Sequence, residues 1–559
     1  MIERKYGNHP LMSGHRIFWL IILCLFGLCL AEMTAAPKKK KKTQEDRIHL
    51  LHADELYYDM YGKNPEAQIV KGNVSFSHDG ATLKCDSAYF FQGSNSFKAF
   101  SHVKLRQGDT LSLDCEYAEY DGGSLMMRAR RNVVLRHHRQ TLYTDSLDYD
   151  RLYEKANFFE GGTLIDGKDK LVADWGEYST ATRDAVFYYN VKMRNGGRVI
   201  EGDTLYYSTK SSTAHLVGPS TITSENGSII KTEDGYFDTK SDKATLYGRS
   251  TLTDKQKFIT GDSLYHDNKT GENKGFGNVV YVDKENKNEL HCDELTYNDQ
   301  TGYGYATKNT LVKDYSQKDT LFVHADTFKI YTYHINTDSV YRLVHGYNKV
   351  RAYRTDIQAV CDSIVFSSLD SCMTMYKDPI VWNDTRQLFG EQIKVFMNDS
   401  TIRMAQVIDQ ASSIELMSDS VHYNQVAAKR MNAYFVEGAV RETESIGNVQ
   451  SVYYPVDDKD STLIGLNYME TDTMRMFLDK ERKLEKIWVS KPVGVLYPIT
   501  QIPSDKMKLK NFAWFEQIRP KDKNDIFVWR GKSEENRLKK VERHAAPLQT
   551  LTKNIAEEK

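Results

Sequence analysis

The chain is poor in the features that mark most enzymes and most membrane proteins. Its 559 residues hold only 11 prolines and 7 cysteines, and 76 acidic residues against 75 basic ones leave a net charge of −1. Without a basic surplus there is no electrostatic footprint for nucleic acid, and none is expected as a partner. A single apolar run excludes a multi-span helical membrane protein. There is no GxSxG, HExxH or P-loop, and no CxxC or CxxH spacing suited to zinc. No cofactor, metal or catalytic residue is therefore expected, and the chain reads as a non-enzyme. His137 and His138 are neighbours in an alternating segment, so their rings face opposite ways and do not share a metal. Tyrosine, by contrast, is plentiful: 35 residues in a chain that is 11% aromatic. That content argues against disorder. It favours two-faced β-sheets, where only alternate residues need be apolar.

The apolar run, Ile17 to Ala31, follows His15 and Arg16. It is shorter than the about 20 residues of a membrane span and suits a secretory signal over 1–31, with an N-terminal anchor as the alternative. A Lys-rich linker, 32–50, carries Lys38 to Lys42. The five later cysteines, Cys85, Cys115, Cys292, Cys361 and Cys372, cannot all pair within the chain. Cys85 and Cys115 lie one repeat apart but two positions out of step along the strand, so no structural disulfide is expected between them.

The strongest signal is internal repetition. An Asp-x-Leu-x-Tyr pattern starts at Asp54, Asp145, Asp203, Asp262 and Asp293, with looser copies at Asp86, Asp114, Asp174, Asp234, Asp326, Asp362 and Asp419. Glu391 fills one gap, and consecutive spacings run from 28 to 36 residues. In phase with it comes a Gly/Asn turn before a β-branched residue, as at Gly72-Asn73, Asn132, Asn190, Gly277-Asn278 and Asn309. Gly and Asn tolerate positive φ, so this second marker signals a bend or bulge inside an extended segment. Asp, Leu and Tyr stand at i, i+2 and i+4, on one strand face. The residue before the Asp is usually small (Ala53, Cys85, Ala173, Gly202, Cys292, Ala325, Cys361) and is assigned to the opposite face. Stacked carboxylates would repel one another, so the Asp column reads as a structural feature of strand ends. The expected fold is all-β, an elongated open β-jelly roll or solenoid of about thirteen repeats over 51–440, roughly 60 Å long or more. Divergent repeats and an aromatic cap over the last rung (Phe512 to Phe515, Trp529) are expected over 441–529, then a charged tail, 530–559.

The export signal, the Asp-x-Leu-x-Tyr segments and the phased Gly-Asn-Val turns resemble the OstA-like, LptA-type domain of lipopolysaccharide transport, over roughly 51–440. The resemblance implies an extended, Bacteroides-like version of that module. It also implies a periplasmic bridge protein whose β-lined groove shields lipid A acyl chains during outer-membrane assembly. Leu56, Tyr58, Leu147, Tyr149, Leu205, Tyr207, Leu264, Leu295 and Tyr297 are the expected groove lining. A continuous apolar trough answers the cost of about 0.8 kcal/mol for each CH₂ exposed to water. Lipopolysaccharide and other components of the same fold, joined end to end by β-augmentation at the first strand, are the expected partners. The competing readings are a structural or adhesive surface solenoid and, further off, a polysaccharide-active parallel β-helix enzyme.

Overall fold

Every long strand is bent once, and the repeat markers make the bend. In a computed structural model that describes residues 47–335, 337–398, 401–457, 462–481 and 484–530, the Gly/Asn turn supplies two consecutive residues of positive φ in mid-strand. Gly72 and Asn73 are at 75° and 46°, Tyr189 and Asn190 at 62° and 50°, Lys308 and Asn309 at 63° and 53°. The ladder skips there, for instance between Lys71 and Val74. The Asp of the neighbouring strand closes the bend from both ends. Its N–H donates to the first turn carbonyl (Asp262 to Gly277, 2.9 Å; Asp293 to Lys308, 3.0 Å). Its carboxylate accepts from the turn Asn: Asn73 to Asp54 at 3.0 Å, Asn190 to Asp174 at 2.6 Å, Asn278 to Asp262 at 3.0 Å, Asn309 to Asp293 at 2.6 Å. His102 to Asp86 and Lys349 to Asp326 are versions of the same contact with another donor in place of Asn. The two sequence markers are thus donor and acceptor of one device. Asp54, Asp174, Asp262 and Asp326 stand at breaks between short strands, as expected of strand ends, whereas Asp86 and Asp293 lie in mid-strand and correct that assignment there.

The bend also overturns the face assignment of the small column. A bulge adds one residue and so exchanges the faces of everything beyond it. In the strand Ala81–Phe91, Ala81, Leu83 and Cys85 point inward before the bend, and Ala88 and Phe90 point inward after it. Small column and Leu/Tyr column therefore share one interior. Cys85, Cys292 and Cys361 are buried there, and all five described cysteines are free. Burial pushes the thiols of Cys85 and Cys292 up to about 12, which leaves them inert.

The chain divides into two compact units, one of residues up to 109 with 117–126, the other of 110–116 with everything from 127. In the first, Phe76 stacks on Phe97 at 4.5 Å, Phe97 meets Tyr120 at 5.2 Å, and His78 Nδ1 lies 2.7 Å from the Tyr120 hydroxyl. The second repeats the bent antiparallel hairpin. Some bends divide a strand into halves that pair with different neighbours, as Gln140–Asp150 pairs with Gly162–Asp166 and then Lys155–Phe158; at others, as between Asp184–Asn195 and Arg198–Ser208, both halves keep one neighbour. Two walls result. The pattern continues past residue 440 through Ala439–Tyr453 and Gly465–Leu478 to the edge strands Leu484–Ser490 and Val493–Pro498. Three short 3₁₀ turns are the helical elements among the described residues. The signal or anchor segment, the lysine run and most of the charged tail lie outside them.

After Pro498 the chain turns back. Residues 499–530 cross the outer face of the wall as an extended strap. Three buried glutamines on that face grip it. Gln425 accepts from Leu509 N (2.9 Å) and donates to Met507 O (2.8 Å). Gln387 accepts from Phe515 N and donates to Ala513 O, both at 2.8 Å, and Gln358 accepts from Arg519 Nε at 2.8 Å. Phe515 and Ile518 pack on Val360, Ile380, Trp382, Phe389 and Ile414. The aromatic segment therefore covers a wall's outer face and not the last rung. Leu484, Ile487, Trp488, Val493 and Val495 on the last strands stay exposed.

Candidate functional site

The interior of the second unit is lined by rows of side chains in cross-strand register. One row runs Leu142, Leu164, Leu171, Met193, Ile200, Ile222, Ile230. It continues through Leu252, Ile259, Tyr281, Leu290, Val312 and Val323. On the other wall, Leu147, Phe158, Gly176, Phe187, Leu205, Leu216, Gly235, Leu246, Leu264, Gly275 and Leu295 form a second row. Beside it Tyr149, Ala156, Tyr178, Ala185, Tyr207 and Ala214 alternate large and small. Leu147, Leu205, Leu264 and Leu295 thus occupy one row, and Tyr149, Tyr207 and Tyr297 lie on the row next to it. Leu56 and Tyr58 sit on the first edge strand, which pairs on one side only, and are 53% and 54% exposed.

The rows change character along the chain. Up to Leu246 they are closed: Leu147, Tyr149, Phe158, Leu171, Phe187, Leu205 and Tyr207 are fully buried. Clasps between wall tips seal this stretch. His137 Nδ1 lies 2.9 Å from the Tyr178 hydroxyl, and Arg139 Nη2 is 3.4 Å from Ser212 Oγ. The Tyr207 hydroxyl reaches Asp169 at 2.7 Å and Asp166 at 3.1 Å, and Thr239 donates to Asp169 at 2.9 Å. Arg198 meets Asp242 and lies 5.3 Å from the Phe237 ring. Burial, then the bond to Asp169, raises the Tyr207 phenol far above its ordinary value, so it serves as a donor throughout the physiological range.

From Ile230 and Leu252 onward many of the same inward positions are only half-buried, although Leu264, Leu290 and Leu295 stay buried. Ile259, Tyr281, Val312, Val323, Val344, Ile364, Met373, Val381, Met397, Val426, Met469, Met476 and Val489 lean on a thin floor that includes Val279, Ala306, Ala325, Val350, Ala411 and Val449. Tyr297 belongs to this open stretch, while Leu264 and Leu295 are buried in its floor. The arrangement is an apolar trough with a methionine-rich wall, adaptable to irregular apolar cargo. Sequence reading missed its main lining because the residue types match those of the closed stretch; only the methionines near 373–397 and 469–476 distinguish it. Among the described residues no group of three His, Cys, Asp or Glu is placed to hold a metal.

Comparison with known proteins agrees with the repeat. A crystal structure of LptH, the LptA homologous periplasmic component of the lipopolysaccharide transport device from Pseudomonas aeruginosa, aligns at 12% identity over 27% of this chain and 83% of that one. Its TM-score is 0.15, and nothing further is built on it. A search of curated proteins gives no match. Residues 45–203 match the family described as OstA-like protein. Over those residues, and not over the whole chain, the sequence is similar to OstA-like proteins.

Proposed function

We propose that this protein carries the acyl chains of a lipopolysaccharide-type amphiphile in the trough of its second unit, as a periplasmic transport component of outer-membrane assembly. The observation that carries the reading is the half-buried apolar lining from Ile259 to Val489. It is a long apolar surface left open in a chain whose upstream repeats bury theirs completely. Such surface is costly in water and is relieved by a chain of methylenes laid along it. The repeated rows impose no single stopping point, which suits conduction more than storage. The OstA-like match lies upstream of the trough, over 45–203, and supports a cargo of this class for the chain as a whole. The exposed edge strands at His49–His52, Glu55–Tyr58, Leu484–Ser490 and Val493–Pro498 suit end-to-end pairing with components of similar fold.

The test is direct. A solvent-sensitive fluorophore on Val344→Cys, titrated with purified lipopolysaccharide, should shift to the blue and saturate, while a label at exposed Lys170→Cys stays unchanged. Loss of the protein in cells should deplete surface lipopolysaccharide. A flat titration at Val344 together with normal surface lipopolysaccharide would overturn the reading.

A further inference from the structure

The trough is not continuous with the closed stretch upstream of it. Between Gln140 and Tyr247 the rings of one wall, Tyr149, Phe158, Tyr178, Phe187 and Tyr207, and the aliphatic row of the other, Leu142, Leu164, Leu171, Met193 and Ile200, are all buried. A methylene chain cannot be threaded through an interior already filled to this density. Nor do the wall tips part easily. The clasps at Tyr178, Ser212, Tyr207, Thr239 and Asp242 recur on successive hairpins, so opening one end strains the next.

The change from closed to open is abrupt. On one wall Ile222 is buried while its partner Ile230 and the following Leu252 are half-buried. On the other, buried Phe237 and Ala244 give way to half-buried His266. The last clasp described, Arg198 to Asp242, lies just upstream of this step. A polar pair therefore ends the filled stretch where the apolar surface begins to open.

We infer that acyl chains occupy only the open stretch, and that at its upstream limit they pass sideways between the wall tips near Ile230, Leu252 and His266. The filled stretch acts as a stop. This rests on the lipid-carrying reading above and deepens it by fixing where the cargo ends its path. A lateral port fits the side chains at the step. Exposed Lys257 stands at the tip beside it, where the anionic head group of such an amphiphile would emerge while its chains remain on Leu252 and Ile259; Arg198 and Lys243 nearby are held by Asp242 and Asp267.

Photo-crosslinking residues placed one at a time in the full-length protein in cells, at Val344, Met397 and Met476 in the open stretch and at Leu147 and Leu205 in the filled one, test the partition. Lipopolysaccharide capture should be several-fold stronger at the open positions. Because a bulky probe at Leu205 disturbs the core, a second measurement leaves the core intact. Arg139→Cys with Ser212→Cys, joined by a short bifunctional thiol reagent, locks the wall tips. Capture at Val344 and surface lipopolysaccharide should match those of the unlinked pair. Equal capture at Leu205, or loss of capture at Val344 on locking, would show that the filled stretch opens to cargo and would overturn the inference. Absence of capture at every position would instead sink the lipid-carrying reading itself.

Discussion

Tyr207→Phe removes one oxygen from the centre of the clasped stretch and should be felt well beyond its size. The ring keeps its volume, so no cavity opens. What is lost is the donor shared by Asp169 at 2.7 Å and Asp166 at 3.1 Å. A hydrogen bond to a charged group contributes about 1.5–3 kcal/mol, and a single proton cannot serve both acceptors fully. Other donors remain: Arg139 and Gln140 on Asp166, at 2.6 and 3.1 Å, and Thr239 on Asp169 at 2.9 Å. Both carboxylates stay partly satisfied, so the loss belongs at the lower end of that range, about 1.5–2 kcal/mol. Amide hydrogen exchange resolves it locally, which global melting of so long an array would not. Protection should fall by the corresponding factor of about 10–30 in Arg198–Ser208 and Asp169–Ala173 and remain unchanged in Gln392–Asn398. Unchanged protection in the first two strands would refute the claim that the clasp holds the wall tips together.

Three further outcomes are expected. Burial and the neighbouring His138 hold the His137 imidazole down at about 4, so the unfolded chain, titrating near about 6.5, takes up the proton first. Stability conferred by the neutral ring is whole above about pH 6.5 and is lost as pH falls toward 4; His137→Gln should flatten that part of the profile in urea titrations taken at successive pH values. Gly277→Val places a β-branched residue at φ 69° against the Asp262 carboxylate, at a cost of about 2 kcal/mol or more, visible as increased exchange in Glu272–Asp283. Trp382→Ala empties the site beneath the strap, where Trp382 is fully buried and donates to Gln387 at 3.2 Å. A loss of about 3–5 kcal/mol should appear as protease cleavage within 499–530 while Gly162–Asp166 keeps its protection.

Much of the fold is legible in the sequence because its two markers bond to each other. Asp262 and Asn278 recur with the same offset of 16 as Asp174 and Asn190 and as Asp293 and Asn309, since the Asp accepts from the Asn across the bend. The faces of the strands are less legible. Each bend inserts a residue, so counting by twos from Leu147 to Ser146 or from Phe90 to Cys85 gives the wrong side, although all four point inward. The division into filled and open stretches is not legible locally at all: Leu205 and Leu264 occupy equivalent positions in the repeat. What differs is whether a clasp such as Tyr207 with Asp169 joins the tips, and its partners lie 38 residues apart. The strap has no period, and its aromatic residues read equally well as a lid for the last strand.

The strap also sets an order of events during synthesis. Each bent hairpin finds its partners within the preceding few dozen residues, so the array can form as it emerges from the ribosome. The strap cannot. Arg519 meets Gln358 and Gln387 meets Ala513 across separations of 161 and 126 residues, and the strap lies over strands completed long before it exists. Until then Val360, Ile380, Phe389 and Ile414 form a naked greasy seam on a nascent chain that already looks finished. Translation that stops before residue 499 would leave that seam permanently uncovered. Residues 499–530 therefore decide whether that seam is covered, and a chain lacking them should hold chaperones longer.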